Sequence, residues 1–505
     1  MQGREDLGVA AEIGYPDRFH PSTGPFGIAL AAALHGVHTP LPASGELSCC
    51  DLGCGAGLGC LILAAANPEG RFVGIDLLPH HIDRANRRAR EAGIGNARFY
   101  RADVRDHRNL PLPDFDTVTV HGVYAWVGPE IRNAIVEFLG SRLRPGGLAL
   151  VSYNALPGWG GLLTIREWIR SRVEAIGGAP AEGVRQAVEE LTSLLERGSP
   201  LLSENRGAAR LLARFRAADP HYLVHELLTP HGGPLDFREV ASDMARGGLH
   251  YIGSADPAES CPRSALPRGC RDSIDNVADP LERETLRDIV VNRFFRFDLS
   301  RRPGPEPTGD PLDGILFGLD RPAAEVPNVI PAVDREITLD GNWFEPLKRI
   351  LATAAVTREK LLIAPSLRDY PAEELVDGLR LLHAGGYVRA FRACGDPPPK
   401  SPPRHVRVVP ELNRIQLERL GEEGAGATLA SPVSGTGHWL DMKEALALSA
   451  LAREEPEAWL AREIERRGIT IGAASEGAAP RDLLEGFRTG LLPTYLRLGL
   501  AEAVR

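Results

Sequence analysis

Between residues 47 and 151 short apolar runs alternate with amphipathic stretches. Residues 47–52 form an apolar run that reaches Asp51 and a cluster of glycines, and 58–66 then follow a helical period. Strand-like runs recur at 71–76, 97–100, 117–120 and 148–151. Between them lie helical patterns at 79–92, with proline at its first position, and at 129–143, which Pro145, Gly146 and Gly147 are expected to stop. Strands alternating with helices predict βαβ units in a doubly wound, Rossmann-like α/β sheet.

The pattern changes beyond residue 160. Residues 162–216 are helical throughout, and 237–247 form a helix leading into a strand at 249–252; a second strand is expected at 293–302. Our reading places these two strands at the end of the first sheet, with the helical block inserted between strands five and six. A separate middle domain beginning near 161 is the alternative. Residues 302–333 are rich in proline, glycine and aspartate and read as a linker or extended strap. Helix patterns at 344–355 and 373–383, then a strand at 385–388, follow the order of a winged-helix module. A Ser/Gly-rich turn at 431–437 precedes helices at 443–453, 456–467 and 482–496. The expected organisation is a core domain over 1–160, a helical insertion with the last core strands over 161–303, a linker over 304–335, and a mainly helical, winged-helix-like domain over 336–505.

The chain of 505 residues carries a formal charge of −9, which gives no basic footprint for nucleic acid or an anionic membrane. Its seven cysteines, Cys49, Cys50, Cys54, Cys60, Cys261, Cys270 and Cys394, are odd in number and lack a framework, which favours a reducing compartment. The first four lack the downstream Cys pair of a zinc site, and no metal is expected. With no leader pattern and no apolar stretch long enough for a membrane span, the expectation is a cytoplasmic protein. A homodimer is left open.

The sharpest chemical signal is Asp51-Leu-Gly53-Cys-Gly55-Ala-Gly57-Leu-Gly59, at the junction of a strand and a helix. Glycines there permit positive φ and close approach of a ligand to the backbone, and the helix start favours a carboxylate. Asp51 suits a cationic amino group, so the pair of charges matches the methionine part of S-adenosylmethionine (SAM). Neither the G-x-G-x-x-G/A dinucleotide fingerprint nor a P-loop fits these spacings. Asp76, with Leu77 beside it, ends the second strand and is expected to receive the ribose hydroxyls. Asp103 and Val104 follow the third and are expected at the adenine. Taken singly, each acid reads as a turn or helix cap.

DLGCGAG, VGID and RADV together resemble the class I SAM-dependent methyltransferases. VHGVYAWV (120–127), VSYNALPGW (151–159), HYLVHELLTPH (221–231), GLHYIGSA (248–255), VNRFFR (291–296) and LASPVSGTG (429–437) are similar to bacterial methyltransferases with a methyltransferase regulatory domain. That group includes the rickettsial protein-lysine methyltransferases. The resemblance implies methyl transfer to a protein lysine; alternatives are an amine or hydroxyl of a small molecule, and a SAM-binding regulator without catalysis. Residues after strands four and five are expected on the acceptor side: His121, also counted among the cofactor contacts, Tyr124 and Trp126, then Tyr153, Asn154 and Trp159. Core packing is the alternative for the aromatics, and a backbone hydrogen bond for His121. The arm from Tyr15 to Pro21 is expected to close over the cofactor or to be an ordinary extended segment. His221, His225, Glu226 and His231 form a string without the H-E-x-x-H order, read as hydrogen bonding between insertion and core. The absence of a D/N-P-P-Y/F/W string after strand four and of a Pro-Cys dipeptide argues against the amide, adenine-amine and cytosine-carbon methyltransferases.

Overall fold

The computed structural model describes residues 18–39, 46–305, 307–397, 401–421, 426–469 and 480–504. Seven strands, β1 (Ser48–Leu52), β2 (Arg71–Asp76), β3 (Ala97–Arg101), β4 (Phe115–Val120), β5 (Leu143–Asn154), β6 (His250–Ser254) and β7 (Phe295–Arg301), form one sheet ordered β3-β2-β1-β4-β5-β7-β6. The first five are parallel, and β7 runs antiparallel to both β5 and β6. This is the doubly wound sheet expected from the alternation of strand and helix patterns, with a helical insertion between β5 and β6.

Helices α1 (Pro25–Leu34), α2 (Leu58–Ala66), α3 (Pro79–Glu91) and α4 (Pro129–Arg142) pack around the sheet. The sequence pattern did not single out α1 as a helix. It is apolar all round because its Ile28 and Ala32 face Leu150 and Leu299 of the sheet, while Leu30 and Ala33 join a core shared with the C-terminal part. The core under β1, β2 and β4 joins Leu52, Ile75 and Val118 to Ile135 and Phe138 of α4.

β5 is longer than expected. The Pro145-Gly146-Gly147 stretch lies inside the strand rather than in a stop, because a register irregularity between Phe115 and Thr117 absorbs it. The insertion contains α5 (Leu163–Ile176), α6 (Pro180–Glu196), α7 (Arg206–Ala217) and α8 (Pro220–Leu228), with a core of their own around Trp159, Ile169, Val188 and Leu227, and α9 (Phe237–Arg246), whose Val240 and Met244 join the core under the sheet.

The stretch read as a linker or extended strap is packed on the C-terminal part. Leu312, Ile315, Phe317, Leu319, Val326 and Ile330 are buried in the C-terminal core, and Leu316–Leu319 is the central strand of a three-stranded sheet with Val356–Thr357 and Val388–Phe391. Apolar residues spaced between its prolines and aspartates bind it there. The helix expected over 482–496 is two, Pro480–Thr489 and Leu492–Arg497, since Pro493 lacks the N–H and space that a continuous helix needs. A hairpin of Gly426–Ser431 and Thr436–Asp441 lies against α2. No helix among the described residues is long and apolar enough to cross a membrane.

Candidate functional site

The C-terminal ends of β1, β2 and β4 border a cleft of about 250 Å³. Three glycines turn the chain from β1 into α2 with positive φ: Gly53 (82°), Gly55 (53°) and Gly57 (77°). Their surroundings differ. A Cβ on Gly53 would lie 2.3 Å from Val123 Cγ2, and one on Gly57 2.6 Å from the Phe99 ring and 2.7 Å from Ala85. A Cβ on Gly55 would meet nothing within 4 Å. Gly55 therefore leaves space for a ligand, whereas Gly57 is needed for packing and does not line the cleft.

Asp51 sits behind this turn, with Oδ1 accepting the Thr119 hydroxyl at 3.0 Å. Burial pushes its carboxyl up to about 6, the Thr119 bond opposes the rise, and the Asp76 charge adds to it. Asp76 is tied to the glycine turn: one oxygen accepts Gly55 N–H at 2.9 Å, and the other accepts Leu78 N–H at 2.9 Å and lies 3.1 Å from His81 Nδ1. Asp76, Leu77, Asp103 and Val104 all line the cleft. Asp103 also caps the short turn Val104–Asn109, accepting Arg105 N–H at 2.9 Å and pairing with its guanidinium at 2.7 Å. Burial favours a raised carboxyl there, but the Arg105 hydrogen bonds and charge hold it below the ordinary value.

His121, at the end of β4, lines the same cleft. Its Nδ1 lies 2.7 Å from Ser152 Oγ, which accepts Gly122 N–H at 2.9 Å. Burial, reinforced by the nearby His20, lowers its pKa to about 4, so the imidazole is neutral at physiological pH. Phe297 of β7 stacks on it at 5.6 Å, and Phe295 approaches edge-on at 6.4 Å.

The other residues expected on the acceptor side are turned into the protein. Tyr124 is fully buried and donates its hydroxyl to Asp243 at 2.7 Å. Tyr153 donates to Asp298 at 2.5 Å; Asp298 also binds Arg296 at 2.7 Å, which reaches Asp288 at 2.6 Å. Asn154 donates to Glu226 at 2.9 Å. Trp126 lies flush on Gly232, and Trp159 belongs to the core of the insertion. The insertion supplies the partners of Tyr124 and Asn154, and β7 that of Tyr153, which residue order alone does not reveal. Conversely, His81 and His225 line the cleft, as do Val127, Ile131 and Ile135. Ile131 and Ile135 stand one turn apart on α4, and Val127 lies just before that helix; this short apolar spacing is one that a search for core positions passes over. His221 is exposed beside Asp219, and no group of three or more His, Cys, Asp or Glu among the described residues is placed to hold a metal. The thiols of Cys49, Cys50, Cys54 and Cys60 are pushed up by burial, so they remain protonated.

Residues 49–147 match the family described as a methyltransferase domain, and 219–302 the one described as a predicted methyltransferase regulatory domain. The chain is 25% identical over 511 residues to the uncharacterized protein sll1526 of Synechocystis, spanning 98% of this chain and 99% of that one. It is 30% identical over 220 residues to the uncharacterized protein RP028 of Rickettsia prowazekii, 43% of this chain and 86% of the relative. Its fold matches the structure of PKMT2 from Rickettsia typhi in complex with AdoHcy with a TM-score of 0.74 at 19% identity, across 96% and 99% of the two chains. Glycine turn, strand-end acids and inserted regulatory segment thus occur together, and the chain belongs to the class I SAM-dependent methyltransferases that carry a methyltransferase regulatory domain.

Proposed function

We propose that the protein methylates the side-chain amine of lysine in a protein substrate. The observation that carries this reading is the desolvated wall beside the cofactor cleft, where a neutral His121 stands against Phe295 and Phe297. Lysine ordinarily holds its proton to about pH 10.4. Low-dielectric surroundings favour its uncharged form, which alone carries the lone pair needed for attack. The aromatic faces then attract the methylated cation. The fold of PKMT2 along nearly the whole chain supports the same reading.

The cleft suits SAM. Gly55 leaves open space beside the turn, and acids stand at the ends of the first two strands and just beyond the third. In this assignment Asp51, Gly53 and Gly55 hold the methionine part, Asp76 and Leu77 the ribose, and Asp103 and Val104 the adenine; Gly57 keeps the turn in shape. SAM supplies a methyl group on a sulfonium, which a neutral amine attacks directly. His121, with so low a pKa, is a weak base; its part is to orient the acceptor through Nε2 while Ser152 fixes the ring. The apolar side chains of Val123, Val127 and Ile131 exclude water.

The test is incubation of the purified protein with radiolabelled SAM and a fractionated bacterial lysate. Label in protein, located on lysine by mass spectrometry, is the expected result. Label confined to small molecules overturns the protein-substrate reading, and SAM binding without turnover leaves a regulator.

A further inference from the structure

Residues 15–17 of the N-terminal arm lie outside the described residues; residues 18–21 and the C-terminal hairpin meet beside His121. His20 precedes the short turn Pro21–Thr23, and the Thr23 hydroxyl donates to its carbonyl at 2.7 Å. The His20 ring lies 4.7 Å from Phe297 and 4.9 Å from His121, so it extends the wall described above. Phe295 and Phe297, two apart on β7, project from the same face of the strand. Nδ1 of His20 is buried and has no hydrogen-bond partner among the described residues. A buried ring nitrogen left unpaired is unfavourable, and a donor arriving beside it is correspondingly welcome.

The hairpin of Gly426–Ser431 and Thr436–Asp441 backs this arrangement. Gly437 lies flush against Phe19: a Cβ there would stand 2.7 Å from the ring. Gly435 sits equally close to Phe26, at 2.6 Å, and its carbonyl accepts from Asn67 Nδ2 at the end of α2 at 2.9 Å. The C-terminal part therefore grips both the cofactor helix and the arm bearing His20.

We propose that His20, together with His121, Phe295 and Phe297, receives the primary amine of the acceptor, and that the C-terminal hairpin holds His20 in place by pressing on Phe19. This rests on the amine-acceptor reading of the site. His20 binds the amine through Nδ1. Phe19 and Gly437 are positioning residues that act through it. The C-terminal domain thereby takes part in acceptor recognition without lining the cleft.

The test compares two SAM analogues by calorimetry on the full chain. Sinefungin carries a primary amine where SAM carries the transferred methyl; S-adenosylhomocysteine carries nothing there. Variants are His20→Ala, His20→Phe, which keeps a ring but no nitrogen, Gly437→Val, and the His20→Ala/Gly437→Val double variant. S-adenosylhomocysteine affinity is expected to stay within about twofold in all of them, while sinefungin weakens about five- to tenfold in each, the double variant being no weaker than His20→Ala alone. Phe19→Ala replaces Gly437→Val should the added side chain unfold the hairpin. Wild-type sinefungin affinity in His20→Phe overturns the role of the nitrogen. An unchanged ratio in Gly437→Val and Phe19→Ala overturns the grip of the hairpin. Failure to label lysine in the lysate while the analogue ratio responds sinks only the protein-substrate reading; failure of the wild type to bind either analogue sinks the cofactor site and this proposal together.

Discussion

Ser152 of β5 places its hydroxyl 2.7 Å from Nδ1 of His121, at the end of the neighbouring strand β4, and the same oxygen accepts Gly122 N–H. One buried side chain thus fixes both the ring and the backbone turn that follows it. His121→Ala is expected to keep SAM affinity within about threefold and to slow methyl transfer about tenfold or more. Ser152→Ala, which frees the ring without removing it, is expected to do the same to a lesser degree. Titration with SAM and single-turnover rates check both, and an unchanged rate in His121→Ala would leave that residue structural.

The glycines of the turn separate by experiment. Gly55→Arg is expected to abolish measurable SAM binding, because its side chain enters space that is open around Gly55. Gly57→Val meets Phe99 and Ala85 instead and is expected to destabilise the fold by about 1–3 kcal/mol, seen as a lowered melting temperature. Normal SAM affinity in Gly55→Arg would misplace the site.

Asp51 predicts how cofactor affinity depends on pH. Its carboxyl is raised to about 6 by burial, so it is ionised at pH 8 and increasingly protonated below pH 6. A cationic amino group binds only the ionised form. SAM affinity is therefore expected to fall as pH drops from 7 to 5, by up to about tenfold per unit below the pKa, with proton release on binding near pH 5.5. Asp51→Asn is expected to bind weakly at pH 8 and to lose this dependence.

His383 and His438 act on stability. Burial lowers both to about 4; Val388 O opposes the shift at His383, and the Asp320 charge opposes it at His438. Between about pH 6.5 and 4 the unfolded chain binds protons that the folded chain refuses. Stability therefore falls as pH falls through that interval, by up to about 1.4 kcal/mol per pH unit for each imidazole. Urea melts at pH 7 and 5 measure the loss, and His438→Gln is expected to shrink it.

The residues proposed to hold the cofactor were legible in the residue order because their pattern is local. Asp51 and the three glycines lie within seven consecutive positions, and Asp76 and Asp103 each mark the end of a strand whose pattern is readable alone. In a parallel sheet those ends converge, so reading each strand was enough to bring Asp76 and Asp103 to one cleft, with Asp51 behind the turn that borders it. The acceptor half was not legible in this way. Tyr153 pairs across the sheet with Arg296, nearly one hundred and fifty residues later, and the ionic cluster around Asp298 takes its hydroxyl. Tyr124 is claimed in the same manner by Asp243 of α9.

A strand pattern states which side chains alternate, but not what will cover each face. The chain order therefore settled the βαβ sheet, the glycine turn and the strand-end acids. The folded molecule settled that an antiparallel β7 buries Tyr153 while presenting Phe295 and Phe297 to His121, that α9 takes Tyr124, and that residues near position 20 and position 437 close on one another beside the cleft. Those contacts depend on packing between distant segments, whose partners are chosen by shape and burial rather than by spacing along the chain.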